Sequence, residues 1–179
     1  MGTTYRSLNL GRREADVAIR MAPSAPPHLM GRKHAEVMHA VYGSTRLLAR
    51  FGENVNMAML PWASWDLGHQ NGTDRYLKSN LPKAKVVVRV ETFALMQKVL
   101  LSDMAVTIMP CMIGDRCPEL RRVGDYFEGG FFLWVLTHPE LRKTVRVYKV
   151  IEHLRALIRR DIDLIEGRCP IHDGSIAGR

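Results

Sequence analysis

Thr92 is the residue whose type and position bear most directly on chemistry. It stands immediately before Phe93, Met96, Val99, Leu100 and Met104, an apolar series stepped by threes and fours as one buried helix face requires. A hydroxyl at that point caps a helix by accepting a backbone N–H of the first turn. The helix start would open at the carboxyl end of a strand, which is where α/β proteins usually place ligands. Other candidates for chemistry are weaker. Cys111, Cys117 and Cys169 form neither a disulfide framework nor a zinc spacing, and His138 has no nucleophile or carboxylate partner suggested by its neighbours. No Gly-rich phosphate loop, His-Glu-x-x-His pattern or nucleophile elbow occurs. No catalytic residue, metal or cofactor is expected, and the pattern is that of a binding module.

The elements that must position Thr92 are short and well marked. "KVVVRV" (Lys85 to Val90) is a β-branched run, and "AVTIMP" (Ala105 to Pro110) is a second one closed by proline. Strand, crossover helix and strand predict a βαβ unit with parallel strands, and hence an α/β fold. Upstream, Glu14 to Arg20 predicts a strand covered on both faces, as in a parallel sheet. "APSAPP" (Ala22 to Pro27) is a rigid connector, Val37 to Tyr42 a strand, and Thr45 to Phe51 a short helix. The stretch from Val55 to Lys85 is the least regular, with turn signals at Asn71-Gly72 and Asn80 to Pro82. Its Trp62, Trp65 and Tyr76 are read as core packing. Downstream, "CPELRRV" predicts a turn and a strand, and "FFLWVLT" (Phe131 to Thr137) a further strand. A terminal helix follows, capped by Thr144, with Val147, Val150, Ile151, Leu154, Leu157 and Ile158 as its buried stripe.

The chain has 179 residues, 46% apolar and 25% charged, enough for a sizeable core. No apolar run approaches a membrane span and the N-terminus lacks a signal peptide's apolar core, so a cytoplasmic location and no membrane partner are expected. The net charge of +8 and pI near 9.8 favour acidic partners in general. The basic residues occur only as scattered pairs, which reads as a solvated basic face.

Four fragments in order resemble the effector-binding domain of LysR-type transcriptional regulators: "LNLGRREADVAIR" (Leu8 to Arg20), "LMGRKHAEVMHAVYGS" (Leu29 to Ser44), "AVTIMPCMIGDRCPELRRV" (Ala105 to Val123) and "LWVLTHPELRKTVRVYKVIEHL" (Leu133 to Leu154). The resemblance implies two Rossmann-like lobes of the type II periplasmic-binding-protein kind, with a small organic effector in the cleft. Residues 1–41 and 131–165 would form a discontinuous first lobe, 42–130 a second, and 166–179 a flexible tail. It implies effector contacts at Thr92, whose hydroxyl and adjacent N–H groups would meet a carboxylate, and at Glu91, which would repel an anion. Arg20 and Met21 would approach from the first lobe, and Thr107, Met109 and Pro110 lie on the second strand of the central unit.

Two departures from the family pattern generate further expectations. The sequence shows no helix-turn-helix segment and no counterpart of the family's first strand and helix, so the first lobe is expected to be incomplete. DNA binding would then pass only through a helix-turn-helix domain absent from this chain, and self-association would be a weak homodimer at most. The alternative reading is a stand-alone small-molecule-binding protein or a non-functional regulator fragment. Asp103 and Ala105 replace the usual glycines of a tight turn, and an aspartate at that helix end is expected to oppose the dipole.

Overall fold

A computed structural model of the chain describes residues 15–52, 55–66 and 72–168. Expectations for Leu8 to Glu14, Asn71, Cys169 and most of the tail lie outside the described residues. The chain divides into two compact units, one holding the described residues up to Met38 together with Glu128–Arg168, the other His39–Phe127.

In the first unit, β1 (Val17–Ala22) pairs antiparallel with the end of β6 (Leu120–Thr137), from Val17↔Thr137 to Ala22↔Phe132. β2 (Met30–Ser44) starts here and neighbours β6 on the side away from β1. The antiparallel pairing corrects the expected parallel sheet, and Ile19 is 51% exposed rather than covered. The Trp134 indole donates to the Ala22 carbonyl at 3.0 Å and the Thr137 hydroxyl to the Asp16 carbonyl at 2.7 Å, holding β1 to β6. Helix α5 (Val145–Arg160) buries Val147, Ile151 and Ile158, and the short α6 (Ile162–Ile165) buries Ile165. Val150 of the expected stripe is exposed, because its position falls outside the arc that those three residues occupy. Thr144 occupies the cap position of α5 without a side-chain cap bond.

The second unit contains the expected strand–helix–strand segment as β4 (Lys85–Val90), α3 (Phe93–Leu101) and β5 (Thr107–Pro110). The two strands are not neighbours: β3 (Pro61–Trp65) lies between them. It pairs parallel with β4 and meets β5 through Ala63 N–H to the Val106 carbonyl and Val106 N–H to the Pro61 carbonyl, both 2.8 Å. β2 then runs antiparallel along β5, from His39↔Pro110 to Tyr42↔Thr107. Trp62 is wholly buried against Val41, Leu60, Leu77, Val106 and Val123. Tyr76 stacks on Phe127 at 5.2 Å and lies 6.3 Å from Trp62, and Trp65 is also buried, so these three aromatics pack in the core as expected.

Within the stretch read as irregular, a helix forms, α2 (Gly72–Asn80). Its composition is polar, and partners distant in sequence hold it in place. Asp74 accepts from the Ser64 hydroxyl at 2.6 Å and pairs with Arg89 at 2.8 Å, clipping α2 to β3 and β4. On α3, Met96 and Leu100 are buried while Phe93 is exposed, and Met104 lies beyond the helix and is exposed, which narrows the expected face.

The second unit is also tied by a buried polar cluster. The Tyr42 hydroxyl on β2 donates to Asp115 at 2.7 Å. The Arg122 guanidinium on β6 donates through Nε to Asp115 at 2.9 Å and through Nη2 to its other oxygen. Asp115 follows the short helix α4 (Cys111–Gly114), so one carboxylate joins β2, α4 and β6. Burial, then the bond to Asp115, raises the Tyr42 pKa and keeps the phenol protonated. Burial opposes the Arg122 charge, but its bonds to Asp115 and Tyr42 outweigh that and raise its pKa. Removing one member of a buried ion pair typically costs about 3–5 kcal/mol because the other charge is stranded. Asp115→Ala is therefore expected to lower the urea midpoint strongly with an unchanged slope, and a loss below about 1 kcal/mol would show that water compensates Arg122.

Candidate functional site

β3, β4 and β5 run parallel, so their carboxyl ends lie on one edge of the second unit, and α3 begins there. Thr92 has extended backbone (φ −131°, ψ 151°) and its hydroxyl oxygen accepts the Leu95 N–H at 3.2 Å. Glu91 beside it is exposed. At the end of β3 the Trp65 ring meets Phe93 edge-on at 4.7 Å, and Asp66 N–H donates to the Val90 carbonyl at 2.9 Å. Pro110 closes β5 opposite His39, and both are buried. The edge thus offers a capped helix start, an aromatic pair and exposed carboxylates.

The candidates divide between the units. Glu91, Thr92, Thr107, Met109 and Pro110 belong to the second, Arg20 and Met21 to the first. Thr107 is fully buried and its hydroxyl donates to the Ala63 carbonyl at 2.9 Å, fastening β5 to β3. Met109 is also buried, opposite Ala40. Arg20 is exposed on β1, and Met21 next to it is half-buried opposite Leu133.

Asp103 was missed as an organising residue. Its φ is +59°, the left-handed region that glycine favours and aspartate tolerates. Its carboxylate does not merely face the end of α3, as expected. It accepts from the Ser44 hydroxyl at 2.5 Å, and Ser44 in turn accepts the Leu47 N–H as the cap of α1 (Thr45–Ala49). A negative charge at a helix start is favourable, so the aspartate opposes one helix and supports another. The departure from a glycine turn was the available signal; the partner, 59 residues away, was not legible.

Cys111 and Cys117 are buried and unpaired, and burial pushes both thiols up, away from the reactive thiolate. His138 lies 3.9 Å from Glu140, a contact that becomes an ion pair only on protonation. Among the described residues no cluster of three metal-ligating side chains occurs, and no helix is long and apolar enough to cross a membrane.

The family profile described as the LysR substrate binding domain matches residues 1–170. The chain belongs to this family. It is a regulatory effector-binding domain, and its α/β fold is shared with solved members. The effector domain of the regulator AmpR from Pseudomonas aeruginosa superimposes with a TM-score of 0.67 at 12% identity, covering 89% of this chain and 78% of that one. The regulatory domain of CrgA, a LysR-type regulator from Neisseria meningitidis, gives 0.66 at 14%, covering 84% and 78%. Full-length CbnR, solved with its target DNA, gives 0.56 at 13%, covering 82% of this chain and 54% of that one. A search of curated proteins by sequence finds no match.

In this LysR-type domain Thr92 has a measurable structural role whatever binds beside it. Replacing a capping threonine by alanine typically costs about 1 kcal/mol. Thr92→Ala is expected to show that loss in chemical denaturation and Thr92→Ser to recover most of it. Equal stability of the alanine variant would mean that the 3.2 Å contact contributes nothing.

Proposed function

We propose that this LysR-type domain senses a small organic effector bearing a carboxylate, received at the carboxyl edge of the second unit by Thr92 and the first turn of α3. The observation that carries this reading is the helix start at the end of β4, capped by a hydroxyl that meets the Leu95 N–H. A carboxylate arriving there meets first-turn donors and the positive end of the helix dipole. Glu91 disfavours a second negative charge on the ligand, so a monocarboxylate fits better than a dianion. Thr107, Met109 and Pro110 shape the strand end behind the site rather than supplying free polar groups, since Thr107 is bonded to Ala63. Arg20 and Met21 are retained as contact candidates on the family resemblance.

As a sensing module, the domain converts effector binding into a population shift, and output to DNA requires a DNA-reading domain in the same assembly. Self-association is proposed as a weak homodimer through the exposed apolar residues Phe93, Leu95 and Leu101 of α3, with α1 as a second helix available for contact. A cytoplasmic location is part of the same reading.

The test is a thermal-shift screen of small carboxylic acids on the full chain. At least one monocarboxylate is expected to raise the melting temperature saturably. Thr92→Val should abolish that shift, Thr92→Ser should keep it, and Glu91→Gln should strengthen it. A ligand whose binding is the same in Thr92→Val and in the parent protein would place the effector elsewhere.

A further inference from the structure

The first unit contains a cavity of about 240 Å³ lined by Met30, Gly31, Arg32, Val135, Thr137, Arg142, Ile151 and Arg155. It lies against the start of β2, the end of β6 and helix α5, and shares no residue with the helix start at Thr92. The backbone comes very close at its side: a Cβ on Gly31 would sit 2.2 Å from the Val135 carbonyl oxygen. Only glycine permits that approach, so the wall is set by the sheet.

Its charge is unbalanced. Some other basic side chains of this unit are matched: Arg146 with Asp16, Arg160 with Asp161, and Arg168 with Asp163 and Glu166. Arg32 and Arg142 have no side-chain partner among the described residues. Arg155 donates through Nη1 to Glu152 at 2.5 Å, but its Nε is out of solvent with no acceptor. His34 lies two residues along β2 from Arg32, hence on the same face, and its Nε2 is also buried without a partner. Three arginines thus line one cavity, and among the described residues only Arg155 has a carboxylate partner, Glu152. Like charges repel, and a buried donor left unpaired is costly. An acceptor of negative charge relieves both, and forked guanidinium donors match the oxygens of a phosphate.

We propose that this cavity is a binding site for a small tetrahedral oxyanion, a phosphate group, held by Arg32, Arg142 and Arg155. The volume is ample, since one water occupies about 30 Å³ of the liquid. The site is separate from the proposed effector contact, so either reading can fail without the other.

His34 provides an internal reporter. Burial and then the charges of Arg155, Arg32 and Arg159 hold its pKa below 6.5, with Glu152 opposing them. In linkage terms the unfolded chain takes up this proton first as pH falls through 6.5, so without anion the group subtracts stability there. A bound phosphate offsets the arginine charges, so it should raise the His34 pKa and lessen that loss.

The experiment is a titration of the full chain with inorganic phosphate, followed by NMR of the His34 ring and arginine Nε–H groups, with potassium chloride holding ionic strength constant. Saturable shifts and an upward move of the His34 pKa are expected. Arg32→Gln with Arg142→Gln should weaken binding by at least about tenfold, the loss expected when charge-assisted bonds are removed. Arg46→Gln with Lys83→Gln, which removes two exposed charges from the second unit, should leave binding unchanged. If the first pair prevents folding, Arg142→Gln alone must still weaken binding. Shifts that do not saturate, equal affinity in the Arg32/Arg142 pair, or equal weakening in the control pair would each overturn the site.

Discussion

Arg122 brings a positive charge into the interior of the second unit, and the carboxylate of Asp115 makes that tolerable. The Arg122 side chain is 13% exposed and that of Asp115 2%, so neither can rely on water. Tyr42 completes the arrangement by donating to the carboxylate, leaving few unsatisfied oxygen positions on Asp115. Because the three residues come from β6, β2 and the end of α4, the cluster sets how the two long strands lie against each other and against α4 within this unit. Gly114 shows how tight the fit is: a Cβ there would lie 2.3 Å from the Tyr42 ring. Buried charge gives less stability than its strength suggests, since desolvation cancels most of it. Its effect here is to disfavour alternative registers, each of which would strand a charge.

The candidate effector edge depends on that register. β5 can present Pro110 at the carboxyl edge only while its pairing with β2 holds, and β3 reaches β5 through two backbone bonds and the Thr107 hydroxyl. With β3, β4 and β5 aligned, α3 has to start at their carboxyl ends, which brings Thr92 and its first-turn donors to the surface. That edge thus combines a parallel sheet, a helix start and a hydroxyl cap, the local features on which the proposed site rests.

The distribution of charge follows a different logic in the first unit. A net charge of +8 read from composition suggests only a solvated basic face. In three dimensions Arg155, Arg160 and Arg168 find carboxylates close in sequence, and such pairs contribute little beyond local order. Arg32 and Arg142 do not, and the fold places them beside Arg155 around one cavity. Excess charge that is general along the chain becomes specific where strands and helix bring unmatched groups together.

Local pattern was enough for β4, α3, β5, α1 and α5, for the cap at Thr92, and for the family itself through four ordered fragments. Each of these rests on neighbours within a turn or on alternation along a strand, which the chain displays directly. The interposed β3, the helix α2, the antiparallel partner of β1 and the continuity of β6 were settled only by tertiary structure. β3 has small residues between its tryptophans, and α2 is polar, held by Ser64 and Arg89 through Asp74. β6 runs through Gly129 and Gly130, which read locally as a break. Tyr42 and Asp115 are 73 residues apart, and Ser44 and Asp103 are 59. No local period encodes such pairs: their energy appears only when burial removes water as the competing partner.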